Sequence, residues 1–386
     1  MDVAVIGATG AVGRQVCTQL IERRALPTTA RLQLVGRRGG SSAAATHGYR
    51  ADLIDAYDEI APLIDVALEP GEVVADVIVV ASGATLGTKP GQPVDRAALA
   101  RANHAMFAAY ADALAEHGSG DEVVVVVTNP VELGVATMAA RLGRHRVIGM
   151  GAWLDTLRFR REIAHTLGVR RQRIGGFIAG QHGDDAVPLW SSVRIRGLVE
   201  GERDRTVERL RHGRDLADFP DEIAAGKTEL LAERDSGRAF AMVETWPPDL
   251  RTVTRPWLTH QSGARTAVGT ANATVDLITA FAEGREIVMA GQVALAGEAR
   301  LAGAPVHGVL GVPVVLRPEG WSEVLLGELP PDEDALLARS ARRIAATVEP
   351  YVTVAELSSL GATGVDGRQG TTGVDGRQGT TQGAGR

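Results

Sequence analysis

Val3-Ala-Val-Ile6-Gly7-Ala8-Thr9-Gly10-Ala11-Val12-Gly13 decides how this chain is read. Four apolar residues lead into glycines at every third position, and Val12, Val16, Leu20 and Ile21 then share one helical face. That is a strand, a glycine turn and a helix. Glycines at such a turn let backbone approach a pyrophosphate, which rests on the helix N-terminus. Gly7, Ala8, Thr9, Gly10, Ala11, Val12 and Gly13 are therefore candidate cofactor-binding residues. A tight turn without a ligand is the alternative reading. The spacing is G-x-x-G-x-x-G, which several dehydrogenase classes share.

The pattern continues outward. Leu32–Val35, Val77–Ala81 and Val123–Thr128 are further apolar runs, and helical spacing covers Arg96–His117 and Val131–Leu142. Buried runs alternating with helices predict a parallel sheet covered on both faces. The expected fold class is α/β, a Rossmann-type doubly wound sheet over residues 1–152, followed by an α+β catalytic domain over 153–355. In that second part the sequence predicts a helix over Thr156–Leu167 and strands near Ile174–Ile178 and Val187–Ile195. Charge-rich helical material covers about 200–245, and a long helix spans about Ser262–Glu283. Strands near Ile287–Leu295 and Val312–Leu316 and a closing helix, Pro331–Val348, complete it. Residues 356–386 read as a disordered tail in which Gly364-Val-Asp-Gly-Arg-Gln-Gly-Thr-Thr372 repeats at 373–381. Gly, Thr and Gln with no apolar face cannot offset ordering entropy.

Composition narrows the class. The chain has 386 residues, 41 cationic against 47 acidic side chains, a net charge of −6 and 45% hydrophobic residues. This balance argues against a phosphate-tracking nucleic-acid binder. No apolar run is long enough to span a membrane, and no secretory signal is expected. A single cysteine, Cys17, excludes an intramolecular disulfide framework and a cysteine-cluster metal site, and points to the cytoplasm. No metal ligand set is expected.

Three eliminations follow for a chain with this loop. Semialdehyde dehydrogenases need a nucleophilic cysteine in the second domain, where there is none. Short-chain reductases need Lys four residues after Tyr. Tyr49, Tyr57, Tyr110 and Tyr351 are followed there by Leu53, Ala61, Leu114 and Ala355. Zinc-dependent alcohol dehydrogenases need absent cysteine ligands. Hydride transfer assisted by a histidine acid/base remains.

Two segments carry that chemistry. One is Gly151-Ala-Trp-Leu-Asp155-Thr-Leu-Arg158, and the other is Gly180-Gln-His182-Gly-Asp184. Reducing a 2-oxo acid needs a hydride at C2 and a proton on its oxygen. An imidazole suits the proton step, and a neighbouring carboxylate holds its tautomer. His182 is read as the acid/base and Asp155 as its partner. Arg158 lies three residues beyond Asp155, so both can share a helical face. Its guanidinium can grip a carboxylate with two parallel hydrogen bonds.

Together with Thr128-Asn129-Pro130-Val131, these segments resemble the lactate/malate dehydrogenase superfamily, especially its lactate-dehydrogenase-like malate dehydrogenase branch. The resemblance extends over about residues 1–350. It implies that Arg158 anchors the substrate carboxylate, and that Asn129 and Thr128 lie at the substrate and cofactor. It further implies a small 2-oxo or 2-hydroxy acid substrate and a homodimer or homotetramer. A non-catalytic protein that retains the fold and its nucleotide pocket is the alternative.

Two departures from the family pattern stand out. The second strand ends in Gly36-Arg37-Arg38, with no carboxylate for a ribose diol, and two arginines stand where a 2′-phosphate would lie. NADP is therefore expected ahead of NAD. In the lid, Thr88-Lys89-Pro90-Gly91 precedes Arg96, which matches the family's catalytic lid arginine after a short insertion, and Asn103 matches a cofactor-contacting position. Thr88 stands where malate dehydrogenases carry the arginine for the distal carboxylate, which puts malate in doubt as substrate. Lys89, or Arg265 on the predicted long helix, could replace it.

Overall fold

The computed structural model describes residues 1–84 and 96–359. β1 (Val3–Ile6) is wholly buried and runs into Gly7. α1 (Ala11–Glu22) returns across the sheet with Val16, Cys17, Leu20 and Ile21 buried. β2 (Arg31–Val35) lies parallel to β1, and α2 (Gly40–Tyr57) leads to β3 (Leu63–Ala67) at the edge. The chain then crosses back, and β4 (Val77–Val80) pairs with the other side of β1. α3 (Arg96–His117), β5 (Val123–Val126), α4 (Val131–Leu142) and β6 (Val147–Gly149) follow. The six parallel strands run β3-β2-β1-β4-β5-β6. β4 and β5 contain only Val and Ile, as strands covered on both faces require. The order reverses between β1 and β4, which opens a crevice at their carboxyl ends.

α5 (Gly151–Thr166) leaves β6 directly and leads to a separate antiparallel pair, β7 (Ile174–Gly180) and β8 (Ala186–Ile195). Five helices follow: α6 (Glu200–Arg211), α7 (Phe219–Ala232), α8 (Ser236–Glu244), α9 (Pro248–Gln261) and α10 (Ala267–Ala282). α10 lies along α1, where Arg23 Nη1 meets Asp276 at 2.7 Å. β9 (Ile287–Leu301), β10 (Ala304–Arg317) and β11 (Gly320–Val324) then extend the first sheet to nine strands, through antiparallel pairing of Gly149 with Gln292. α11 (Pro331–Val348) and α12 (Val354–Ser359) close the described chain. No helix among the described residues is long and apolar enough to cross a membrane.

The sequence reading missed six elements, among them α9 (Pro248–Gln261) and α12 (Val354–Ser359), and α12 corrects the expected start of the disordered tail at 356. β3 is an edge strand whose Leu63 is exposed, β6 has three residues, and β11 is a short edge strand beyond a hairpin. α2 spreads its apolar residues around the axis, so no helical stripe marks it. The expected helix over Ser262–Glu283 is corrected. Gly263, at φ +82°, lies in the turn 262–266 between α9 and α10, a backbone conformation few other residues adopt. Arg265 therefore sits in that turn and is exposed, not on a helix. Thr88, Lys89, Pro90 and Gly91 lie outside the described residues, as does the repeat at 364–381. Arg96 is the first residue of α3, but its side chain also lies outside the described set.

Candidate active site

The glycine turn is built for close backbone approach. A Cβ on Gly7, at φ +84°, would lie 2.7 Å from the Ser82 backbone, and one on Gly13 would lie 2.1 Å from the Gly7 carbonyl. Gly10 caps α1 with no side-chain hydrogen bond, so the first-turn N–H groups stay open to a ligand. Open N–H groups at a positive helix end, with no side chain over them, fit a pyrophosphate. The crevice thus fits a dinucleotide.

At the ribose end, a Cβ on Gly36 would meet Thr46 Oγ1 at 2.2 Å, so the chain must be glycine there. The two arginines beyond it differ. Arg38 pairs with Glu69 at 2.5 Å and Glu72 at 3.2 Å. Arg37 makes no ion pair among the described residues, and its backbone N–H donates to Ser42 Oγ at 3.0 Å. The start of α2 lies just beyond and has no side-chain cap. Only one of the two guanidiniums is therefore without a carboxylate partner.

The loops after β4 and β5 reach the crevice floor, with Asn103 of α3 between them. Thr128 Oγ1 donates to the Val80 and Ser82 carbonyls at 3.0 and 2.7 Å. Asn129 is exposed at the carboxyl end of β5. Asn103 is turned inward at 1% exposure. Its Oδ1 accepts from the Ala84 N–H and its Nδ2 donates to the Asn129 carbonyl, both at 2.7 Å. The Asn103 side chain thus ties two crevice loops together, its amide hydrogen-bonded to backbone on both sides.

The His182–Asp155 pair lies at the same edge of the sheet. α5 starts where β6 ends, and a Cβ on Gly151 would lie 2.5 Å from His182 Cβ. His182, in the loop between β7 and β8, thus sits against the carboxyl end of a parallel strand. Its Nδ1 meets Asp155 Oδ2 at 2.7 Å. Arg158 Nη1 donates to the other oxygen, Oδ1, at 3.0 Å, so Asp155 holds both. The Asp155 side chain is 5% exposed, that of Arg158 15% and that of His182 19%. The ring's Nε2 makes no hydrogen bond to a described residue. Burial disfavours the His182 imidazolium, but the Asp155 carboxylate outweighs it and raises the pKa above the ordinary 6.5. Burial raises Asp155, and His182 and Arg158 outweigh that and hold its carboxyl below the usual range.

The family model "lactate/malate dehydrogenase, NAD binding domain" matches residues 1–149. A malate dehydrogenase of Halobacterium salinarum is 29% identical over 351 residues, 89% of this chain and 97% of the relative. The chain is similar to members of the lactate/malate dehydrogenase superfamily. An L-2-hydroxycarboxylate dehydrogenase (NAD(P)(+)) of the superfamily, from Methanocaldococcus jannaschii, is 33% identical over 205 residues, 51% of this chain and 62% of the relative. The lactate dehydrogenase of Cryptosporidium parvum, solved with lactic acid and nicotinamide adenine dinucleotide, shares the fold at a TM-score of 0.68 and 19% identity. That match covers 90% of this chain and 97% of that one.

Sequence reasoning passed over three features of this site. Glu132, in the first turn of α4 and 3% exposed, accepts the His182 backbone N–H at 2.7 Å. Only its position two residues after the Asn-Pro pair could have flagged it. His260 lies in the last turn of α9 near the site. Burial lowers its pKa, and Arg158, His182 and Arg265 add to the effect. Glu69 and Glu72, which take Arg38, come from a different loop and carry no local signal. Asp184 and Asp185 brace the loop that carries His182: Lys227 Nζ meets Asp184 at 2.5 Å and Arg343 pairs with Asp185.

Proposed function

We propose that this chain is an NAD(P)-dependent dehydrogenase that interconverts a 2-oxo acid and its L-2-hydroxy acid. One observation carries the reading: Asp155 holds His182 and Arg158 together at the crevice edge where the glycine turn opens. Bound nicotinamide would supply or accept the hydride at C2. Arg158 has one nitrogen on Asp155 and the rest of its fork open, which suits a carboxylate gripped side-on. His182, its Nδ1 fixed by Asp155, would deliver a proton from Nε2 to the substrate oxygen during reduction and take it back during oxidation. Asp155 stabilises the imidazolium without being protonated itself. Asn129 lines the same floor, and Arg96 would polarise the carbonyl as the lid closes. Residues 1–152 serve as the dinucleotide-binding part and 153–355 as the catalytic part. A cytoplasmic homodimer or homotetramer belongs to the same proposal, checked by light scattering on the purified chain.

The sign of the pH dependence follows. Reduction needs His182 protonated, so kcat/KM for a 2-oxo acid should hold at low pH. It should fall as pH rises through the His182 pKa, above 6.5. Oxidation needs the neutral ring and should rise over the same range. A reduction profile that climbs with pH across this window would contradict the assignment.

NADP is the proposed cofactor, on the strength of Arg37, the absence of a carboxylate after β2 and the uncapped start of α2. Arg38 contributes less, because Glu69 and Glu72 hold it. Arg37→Ala should lower kcat/KM for NADPH by about ten- to a hundredfold, the worth of one charge-assisted phosphate contact, and leave NADH nearly unchanged. Equal losses with both cofactors, or a wild-type preference for NADH, would contradict it.

A further inference from the structure

The loop that carries His182 is held from three sides. Gly180, at φ +82°, turns the chain out of β7, and a Cβ there would strike Ser340 Oγ at 2.6 Å. That hydroxyl, on α11 and 2% exposed, accepts the Gln181 N–H and donates to the Asp185 carbonyl, each at 2.8 Å. It therefore staples both ends of the loop. α7 and α11 add Lys227 on Asp184 and Arg343 on Asp185. The third hold is Glu132, whose Oε1 takes the backbone N–H of His182 itself.

The same hydrogen bond places a carboxylate beside His182. A neutral amide oxygen would satisfy the same N–H, and burying an ionised carboxylate is costly. The charges facing His182 show what a carboxylate adds. Asp155 and Arg158 approach from α5, Glu132 from α4, and His260 from the end of α9 with Arg265 beyond it. Asp184 and Asp185, in its own loop, are met by Lys227 and Arg343. β9 contributes only the neutral amide of Gln292, whose Oε1 accepts the Ala152 N–H. Asp155 alone must therefore hold a proton on His182 against Arg158 and, when charged, His260. A second carboxylate, at the backbone N–H of His182, shifts that balance.

We propose that Glu132 is a positioning residue with two separable roles: its oxygen fixes the peptide that carries His182, and its charge stabilises the imidazolium form. This rests on the reading of His182 as the acid/base. The net upward displacement of the His182 pKa, to which Glu132 adds after Asp155, agrees with it.

Two conservative variants separate the roles in the full chain. Glu132→Gln keeps the acceptor and the volume but removes the charge. Glu132→Asp keeps the charge but withdraws the oxygen by one methylene. The first readout is NMR titration of the His182 ring, its signal identified by its loss in His182→Asn, which needs no substrate. Glu132→Gln should lower the His182 midpoint by about half to one pH unit. The alkaline fall in kcat/KM for 2-oxo acid reduction should move down equally, with low-pH turnover kept. Glu132→Asp should leave the midpoint near wild type and lower kcat about tenfold or more, as a misplaced catalytic group does. A wild-type midpoint in Glu132→Gln would overturn the charge role, and wild-type kcat in Glu132→Asp the positioning role. If the midpoint moves but wild-type protein turns over no 2-oxo acid, the proposed activity fails while the Glu132 effect stands. Should one variant not fold, the titration of the other decides its own role.

Discussion

His182→Asn is expected to lower kcat for 2-oxo acid reduction by about 10³-fold, within the range that general acid–base catalysis contributes. Asn fits the space, and its amide can still bond Asp155, so the fold and the cofactor crevice should survive. What it lacks is a proton that leaves near neutral pH. The crevice-building glycines are on a different loop, so the dissociation constant for the reduced cofactor should stay within about two- to threefold of wild type. Stopped-flow turnover together with fluorescence titration of the cofactor checks both parts. Near-normal turnover would remove His182 from the acid/base role.

The second large effect is at Arg158. Arg158→Gln removes the carboxylate grip and also strips Asp155, 5% exposed, of one of its two partners. Truncating one member of a buried, hydrogen-bonded charge pair costs about 2–5 kcal/mol, so kcat/KM should fall by roughly 10²–10³. Most of the loss should appear as a raised KM, since the substrate carboxylate is bound in ground and transition states alike. Arg158→Lys keeps the charge without the planar fork and should recover only part of it. Steady-state kinetics over a wide substrate range separates these outcomes. An unchanged KM in Arg158→Gln would place the carboxylate elsewhere.

The parts legible in the sequence were those set by local spacing. The glycine turn, the buried Val runs and the helices Arg96–His117, Val131–Leu142 and Pro331–Val348 follow from short-range periodicity. His182, Asp155 and Arg158 were picked out by their flanking residues, and the structure brings them within hydrogen-bond distance through Asp155. What escaped depends on contacts between segments far apart in the chain. Glu69 and Glu72 neutralise Arg38 from another loop, and Ser340 reaches the catalytic loop from α11. The join of β9 to β6, which makes one sheet of both halves, is likewise a pairing between distant strands. Arg265 was misplaced for a local reason: no proline interrupts 262–266, and the backbone of Gly263 marks the break.

The reading that Asp155, Arg158 and His182 face a nicotinamide across a 2-oxo acid is tested most directly by product stoichiometry. Purified protein is mixed with NADPH or NADH and a panel of 2-oxo acids that includes oxaloacetate, pyruvate and bulkier acids. Loss of reduced nicotinamide is followed beside formation of the 2-hydroxy acid. For at least one acid the two should match one to one, with the L-enantiomer alone formed. Firm cofactor binding with no turnover of any acid would contradict the account and leave a nucleotide-binding protein without this chemistry.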